Sequence, residues 1–163
     1  MSDENNIERS PTANLKHDHL TVRRVGAIAQ RCSDKLYADY DIPIEDIEML
    51  SVVIEEFIDA FHHGKEEKAY FPATKSKEGY SEDIRKFLIE HELGRRIANM
   101  LRREIQVLKK SSSNLGATTT TDSMQQKDRT EMTKKKKEPV ARFLKSYVVL
   151  LTTTQGRKTY SLI

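Results

Sequence analysis

The sequence predicts an all-α protein, a four-helix bundle of the up-down-up-down type, and three observations support this fold class. Apolar residues recur at alternating spacings of three and four in four separate segments, which is the period of an α-helix with one buried face. No segment shows the apolar–polar alternation of a strand. Three of the four predicted helices carry histidines on their apolar face, and helix bundles build metal sites from such inward side chains.

Length and composition restrict the functional classes. A chain of 163 residues with 37% hydrophobic content can bury the core of one modest domain. Its 28 basic and 25 acidic residues are interspersed, so we expect no nucleic-acid partner and interpret the lysine run at 134–137 as solvated. No apolar stretch approaches the roughly 18–20 residues that cross a bilayer, so we expect no membrane partner. A single cysteine, Cys32, leaves no internal disulfide and fits a cytoplasmic location.

The first helix is predicted over residues 16–38. The residues before it, 1–14, are polar and lack the apolar segment of a signal peptide, so we expect a disordered tail. His19 lies three residues before the start of the apolar stripe and on the same face. The stripe consists of Val22, Val25, Ala29, Cys32 and Leu36.

The second helix is predicted over residues 43–69, with Pro43 suited to a first helical turn. Its apolar face, continued in steps of four through Ile54 and Ile58, reaches His62 and then Glu66. A histidine and a glutamate four residues apart lie on one helical face, so both side chains can reach one cation.

The third helix is predicted from Ser81, a residue that can cap a helix N-terminus, to about Lys110. His91 occupies a core position in its otherwise apolar seam. The seam consists of Ile84, Phe87, His91, Gly94, Ala98, Leu101, Ile105 and Leu108.

The fourth helix is predicted to begin near Pro139 and to complete a bundle over residues 15–151. Residues 111–138 have almost no apolar content, so we expect a long flexible loop before it. Residues 152–163 lack a helical stripe, and we expect an atypical tail. The apolar positions of the helix are Val140, Phe143, Leu144, Tyr147, Val148, Leu150 and Leu151.

The inward polar side chains suggest a metal site. Taken singly, each has an ordinary explanation: His91 is most simply a hydrogen-bonded core histidine, and His62 with Glu66 a surface pair. A buried polar group without a partner costs roughly 1–3 kcal/mol, and a shared metal would satisfy the whole set. We therefore predict metal ligation by His19, His62, Glu66 and His91. Imidazole with carboxylate suits iron, zinc or manganese better than calcium.

Three motifs resemble those of the hemerythrin-like, HHE cation-binding domains. They are DH at 18–19, HHGKEEKAYFP at 62–72, which is similar to the family's H-x-x-K-E-E-x-x-x-F-P run, and EHELGRRI at 90–97. The resemblance implies a bundle with a non-haem di-iron centre that binds, senses or scavenges oxygen or nitric oxide, or handles iron. It also implies that the four predicted ligands hold iron, with Glu66 bridging. His63 and Glu67 sit one position off that face, so we interpret them as supporting or solvated residues, although a register shift of one would exchange the pairs.

The fourth helix departs from the family, whose members carry a second H-x-x-x-E run there. This chain has no histidine after His91. The shifted reading frame of TTTQGRKTYSLI permits H-A-R-K-E-D, so we hypothesise that residues 152–163 are a frameshifted or truncated form of the family's last helix. Such a site would hold one metal, hold two weakly, or stay empty. Its uncovered core would favour a homo-oligomer.

Two functional classes remain open from the sequence. The first is a non-haem iron protein that binds a diatomic ligand, oxygen or nitric oxide, and is not an enzyme. The alternative is a helical interaction scaffold derived from a hemerythrin-like protein, either metal-free or with zinc in its site. The intact ligands on three helices favour the first class, and the missing ligands on the fourth favour the second.

Overall fold

The protein is helical throughout the residues that the structure, a computed structural model, describes. These are residues 11–75, 79–115 and 123–161, with side chains described over 12–75, 79–111 and 134–154. Four helices follow one another, and the described ranges contain no strand. They are α1 (Pro11–Tyr37), α2 (residues 44–74), α3 (Tyr80–Leu115) and α4 (Ser123–Ser161).

Helix α2 changes its type along its length. It begins as an α-helix, Ile44–Val53, and continues as π-helix over Ile54–His63 and again over Glu66–Tyr70. A last α-helical turn, Phe71–Thr74, ends it. Gly64, between the two π-helical stretches, keeps helical dihedral angles, so the helix is not interrupted there.

The four helices pack as a bundle around one main core. Helix α4 contacts both α1 and α3, and α2 contacts the same two helices. The Ser33 hydroxyl of α1 donates a hydrogen bond of 2.8 Å to the Ala141 carbonyl of α4, which joins these helices inside the core. The fully buried members of this core include Val22, Ala29, Ile47, Ile54, Ile58, Leu101, Ile105, Val140, Leu144 and Tyr147.

A second, smaller apolar cluster closes the bundle near the end of α2. Phe71 packs against Phe87 of α3 with ring centroids 6.1 Å apart, and Ile84 completes the cluster. Gly79, with a φ of 89°, forms part of the connection that leads into α3. The cluster thereby fixes the end of α2 against α3, next to the polar residues described below.

The segment between the third and fourth apolar stripes differs from the prediction. We expected a flexible loop over residues 111–138, but α3 continues to Leu115 and α4 already begins at Ser123. Lysine, glutamine and methionine are good helix formers, and no glycine or proline occurs between residues 123 and 138. Helix propensity therefore extends α4 in front of the residues that the core requires, and Pro139 lies inside α4 rather than at its start.

The two ends of the chain and the lysine run also differ in part from the predictions. Helix α1 begins at Pro11, inside the expected disordered tail, while residues 1–10 lie outside the described ranges. Helix α4 continues through the tail that was expected to be atypical, as far as Ser161. Lys134 lies 3.8 Å from Asp39, and Lys137 contacts Asp41, so these two lysines have acidic partners next to the turn after α1.

None of the described helices combines the length and the apolar character that crossing a membrane would require.

Candidate metal centre

Glu66 lies at the point where three helices converge. Its side chain is 1% exposed. Its Oε1 atom lies 3.5 Å from Nε2 of His19 on α1 and 3.8 Å from Nε2 of His62 on α2. Its Oε2 atom lies 3.2 Å from Nε2 of His91 on α3. One buried carboxylate therefore presents Oε1 to the imidazoles of His19 and His62 and Oε2 to the imidazole of His91.

The potential ligands form two clusters that share Glu66. One consists of His19, His62 and Glu66, and the other of His63, Glu66 and His91. Within each cluster the nitrogen and oxygen atoms lie within 4.8 Å of one another, and every member is buried. This arrangement can hold two cations, with the Glu66 carboxylate between them.

The π-helical stretch Ile54–His63 explains how two consecutive histidines reach the same site. A π-helix makes i→i+5 hydrogen bonds and has wider turns than an α-helix, and such segments recur at functional sites. Buried Ile58 is followed by buried residues at both i+4, His62, and i+5, His63. In a regular α-helix the second histidine would turn away from the core.

A carboxylate supports the Nδ1 side of each of three imidazoles. Asp18 Oδ2 lies 3.6 Å from Nδ1 of His62, Asp59 Oδ1 lies 3.2 Å from Nδ1 of His63, and Glu67 Oε1 lies 2.9 Å from Nδ1 of His91. Metal-binding histidines commonly donate their other ring N–H to a carboxylate, which fixes the tautomer and the ring orientation.

Two of these supporting carboxylates have cationic partners of their own. The Lys65 ammonium donates a 2.8 Å hydrogen bond to Asp18, and the Arg95 guanidinium donates one to Glu67. Each cation thereby helps to orient a carboxylate toward the imidazole ring that it faces. Both pairs join different helices, α2 to α1 in the first case and α3 to α2 in the second.

Ring packing further fixes the imidazoles. The rings of His63 and His91 stack with centroids 3.7 Å apart and an interplanar angle of 12°, and Phe71 stacks on His91 at 5.9 Å. His19 and His62 meet edge to face at 4.8 Å. The rings are therefore oriented by their neighbours, without needing a metal to assemble them.

The carboxyl group of Asp59 has an unusual protonation equilibrium. Burial raises its pKa to about 7, against the opposing charge of the Arg95 guanidinium. Burial also raises the pKa of Tyr147 on α4 well above its usual range, and the neighbouring Asp59 carboxylate adds to this effect. The side of the site that faces α4 is therefore poorly solvated.

Helix α4 covers one side of the site. None of its described side chains provides a typical metal ligand there. A small enclosed cavity of about 10 Å³ lies between the histidines and α4, and is bounded by Tyr147, Leu150, Leu151 and Thr154 among others. A volume of this size holds about one water molecule. Thr154 is buried, and its hydroxyl donates to the Leu150 carbonyl at 2.9 Å.

The residues fit a metal ion. Nε2 of His19 is buried and has no hydrogen-bond partner among the described residues, although Glu66 lies 3.5 Å away. A cation would satisfy this nitrogen together with the Glu66 carboxylate. Imidazole and carboxylate are the donors that iron, zinc and manganese accept.

A family model for the hemerythrin HHE cation binding domain matches residues 10–134. The chain belongs to the hemerythrin HHE cation-binding family. No curated protein and no solved structure matches it. The matched region contains every residue of both clusters and ends before the buried part of α4, where the sequence departs from the hemerythrin-like pattern.

The structure brings together all four residues that the sequence predicted as ligands. His19, His62 and Glu66 share one cluster, and His91 joins Glu66 in the other. It differs for His63, which we expected to support the site or face solvent, but which is 5% exposed and belongs to the second cluster. Two signals pointed to His63: the His62–His63 doublet, and an acidic residue, Asp59, four positions before it.

Proposed function

We propose that this protein binds non-haem iron at a two-metal site and uses it to bind oxygen or nitric oxide, in sensing or in iron handling. The observation that supports this proposal most strongly is the shared position of Glu66. Its two oxygens face imidazoles of two separate clusters, 3.5 Å from His19 and 3.2 Å from His91. Membership of a cation-binding family supports the same conclusion.

Each residue has a distinct part in this function. Nε2 of His19 and of His62 faces Oε1 of Glu66 and would hold the first ion, and His63 with His91 would hold the second. Iron bound by so few protein ligands would have open coordination positions for a diatomic gas.

The protein around the clusters excludes bulk water and holds protons in fixed places. Glu67 Oε1 lies 2.9 Å from Nδ1 of His91, and Asp18 Oδ2 lies 3.6 Å from Nδ1 of His62. Both carboxylates favour a proton on Nδ1, which would leave the opposite ring nitrogens free to bind metal. Val22 and Leu151 line the small cavity on the side of α4, where apolar walls favour a small uncharged gas over an anion. We propose that the protein binds a gas without converting it to a product, because the side chains around Glu66 serve to hold metal and to orient the imidazoles that bind it.

An optical and iron-content measurement tests this function. The purified protein is loaded with ferrous iron without oxygen, desalted, and exposed to oxygen or to nitric oxide. Oxo-bridged ferric pairs absorb in the near ultraviolet, where a chain without tryptophan contributes little. We expect bound iron and a new absorption with at least one gas. Iron-free protein after loading would refute the proposal.

The second candidate function is a helical interaction scaffold, either metal-free or holding zinc. It is favoured by one observation, the absence of a histidine or a carboxylate among residues 139–154 of α4. The same experiment distinguishes it. A zinc protein would be colourless with stoichiometric zinc that ferrous iron does not displace, and a metal-free scaffold would retain neither metal after desalting.

Location and assembly belong to the same proposal. The single cysteine, Cys32, is partly buried, and a cytoplasmic place would keep it reduced. Association of two chains would cover the exposed apolar side chains of α3, among them Leu88, Ile89 and Leu93. Sedimentation of the iron-loaded and the iron-free protein would reveal whether such association exists and whether it depends on metal.

A further inference from the structure

His63 is held from its Nδ1 side by Asp59, which lies one turn earlier on α2. The distance between His63 Nδ1 and Asp59 Oδ1 is 3.2 Å, and the two side chains are 7% and 11% exposed. In its ionised form the Asp59 carboxyl group can only accept, so the contact then favours the tautomer with its proton on Nδ1. In that tautomer the lone pair of His63 is on Nε2, the nitrogen that remains available to a metal.

Asp59 in turn faces the hydroxyl of Tyr147, which lies on the buried face of α4. The Tyr147 side chain is 1% exposed, and its hydroxyl interacts with the Asp59 carboxyl group. Among the described residues, neither that hydroxyl nor Asp59 Oδ1 has a hydrogen-bond partner within the usual limits of distance and angle. The Asp59 carboxyl group is the acceptor that this buried hydroxyl faces, across the boundary between α4 and α2.

We propose that Asp59 and Tyr147 are positioning residues for His63, and that this chain uses them in place of a metal ligand on its fourth helix. Asp59 accepts the Nδ1 proton of the imidazole, and Tyr147 donates to Asp59. This inference rests on the proposed two-metal site. It extends that site by giving α4 an indirect part in metal binding, through a hydroxyl, although no histidine follows His91 in the sequence.

The two clusters then differ in how their imidazoles are held. In the first, Asp18 faces His62 and is itself bound by the Lys65 ammonium at 2.8 Å. In the second, Asp59 interacts with the neutral Tyr147 hydroxyl from α4, and the charge of the Arg95 guanidinium acts on it as well. A change at Asp59 or Tyr147 should therefore weaken binding of the ion in the cluster that contains His63. A change at Asp18 should weaken binding of the ion in the cluster that contains His62.

Anaerobic titration with Co²⁺, followed by its visible absorption and by calorimetry, tests this selectivity. For the wild type we expect two equivalents. Asp59→Asn should raise one of the two dissociation constants about 10-fold or more, the usual effect of losing such a partner, and Tyr147→Phe should raise the same constant less. Asp59→Glu, which keeps a carboxylate, should recover part of the affinity. Tyr37→Phe removes a half-exposed hydroxyl elsewhere and should change nothing.

A measurement on the metal-free protein separates this inference from the proposed function. Nitrogen NMR of the imidazole rings reports which nitrogen of His63 carries the proton, and circular dichroism verifies that each variant is folded. We expect the Nδ1-protonated form in the wild type and a shift toward the other tautomer in Asp59→Asn and, to a smaller extent, in Tyr147→Phe.

The outcomes are distinguishable. A wild type that binds no metal, yet shows the expected tautomer shift, would refute the proposed function while supporting the positioning of His63. Unchanged tautomers in both variants would overturn the positioning role. The same holds if the wild type binds two ions and Asp59→Asn binds both with unchanged dissociation constants.

Discussion

At the scale of single residues, Glu66 decides whether the site is one centre or two unrelated clusters. Its carboxylate is buried among imidazoles from three helices, with the His91 nitrogen 3.2 Å from one oxygen and the His19 nitrogen 3.5 Å from the other. Burying a carboxylate is costly unless it is paired or coordinates a metal. The position is therefore suited to a metal ligand and poorly suited to a purely structural glutamate.

Replacing this carboxylate tests that argument. Glu66→Gln keeps the shape of the side chain but removes its charge from both clusters. We expect the affinity for both ions to fall by more than the roughly 10–100-fold that loss of a supporting partner costs. Glu56→Gln, an exposed position on the same helix, is the matched control and should bind metal like the wild type. Equal metal content in the two variants would contradict the shared role of Glu66.

The single cysteine provides a pH-dependent test of burial. Burial raises the pKa of the Cys32 thiol above its usual value, against the opposing charge of Lys35. Because the thiolate is the reactive form, a raised pKa leaves more of the unreactive thiol at pH 8. We expect iodoacetamide to modify native Cys32 several-fold more slowly than the urea-unfolded chain at this pH, with the native rate still rising with pH above 9. Equal rates at pH 8 would show that Cys32 is solvated.

At the scale of elements, the sequence predicted the apolar face of each helix better than the site on α2. The three-and-four spacing assumes an α-helix, and it placed His62, Glu66 and His91 on the inner faces. The same spacing predicted that His63 faces away from the core. That prediction differs from the structure because the wider π-helical turns of Ile54–His63 bring both histidines inward. Nothing in a period of 3.6 residues reports such a local change, which depends on packing between helices.

The long polar segment shows a second limit of pattern reading. Residues 123–138 have no apolar stripe, so their helix in α4 could not be predicted from periodicity. Their lysine and glutamine content favours helix, and Lys137 contacts Asp41 near the start of α2. Helix propensity and the Lys137–Asp41 contact favour the helical conformation of this segment. The frameshift hypothesis for residues 152–163 stays a prediction that the coding DNA can test.

Alanine at Gly64 tests the continuity of α2, and alanine at Gly79, outside that helix, provides the contrast. Gly64 has helical dihedral angles, and an added Cβ would meet no atom within 4 Å. Gly64→Ala should therefore stabilise the protein by roughly 0.5–1 kcal/mol, the usual gain in a helix interior. Gly79→Ala, at a φ of 89°, should instead lower the free energy of unfolding by about 1–2 kcal/mol. Urea denaturation measures both, and a destabilising Gly64→Ala would indicate that α2 is interrupted.

At the scale of the whole molecule, α4 completes the main core, because it packs against both α1 and α3. Leu144 is fully buried in that core. Leu144→Ala should lower the free energy of unfolding by about 2–5 kcal/mol through lost burial and a cavity. Val149→Ala, at a 55% exposed position of the same helix, should change it by roughly 0.5 kcal/mol or less. Equal effects would mean that α4 is not docked as described.

Metal binding should also stabilise the whole bundle, since the two clusters join α1, α2 and α3. A ligand that binds only the folded state adds about 2.7 kcal/mol when present at 100 times its dissociation constant. We expect thermal unfolding to move to higher temperature with ferrous iron and back with a chelator. Glu66→Gln should show neither shift, and a wild type insensitive to both additions would argue for a metal-free scaffold.

The most direct test of the two-metal account is the amount of iron per chain after anaerobic ferrous loading and removal of unbound metal. The account predicts close to two iron ions in the wild type and close to one in His63→Ala, because His63 belongs only to the second cluster. His17→Ala, at an exposed histidine, should retain two. One ion or none in the wild type would contradict the account and would mean that, without a ligand on α4, the chain does not hold a metal pair.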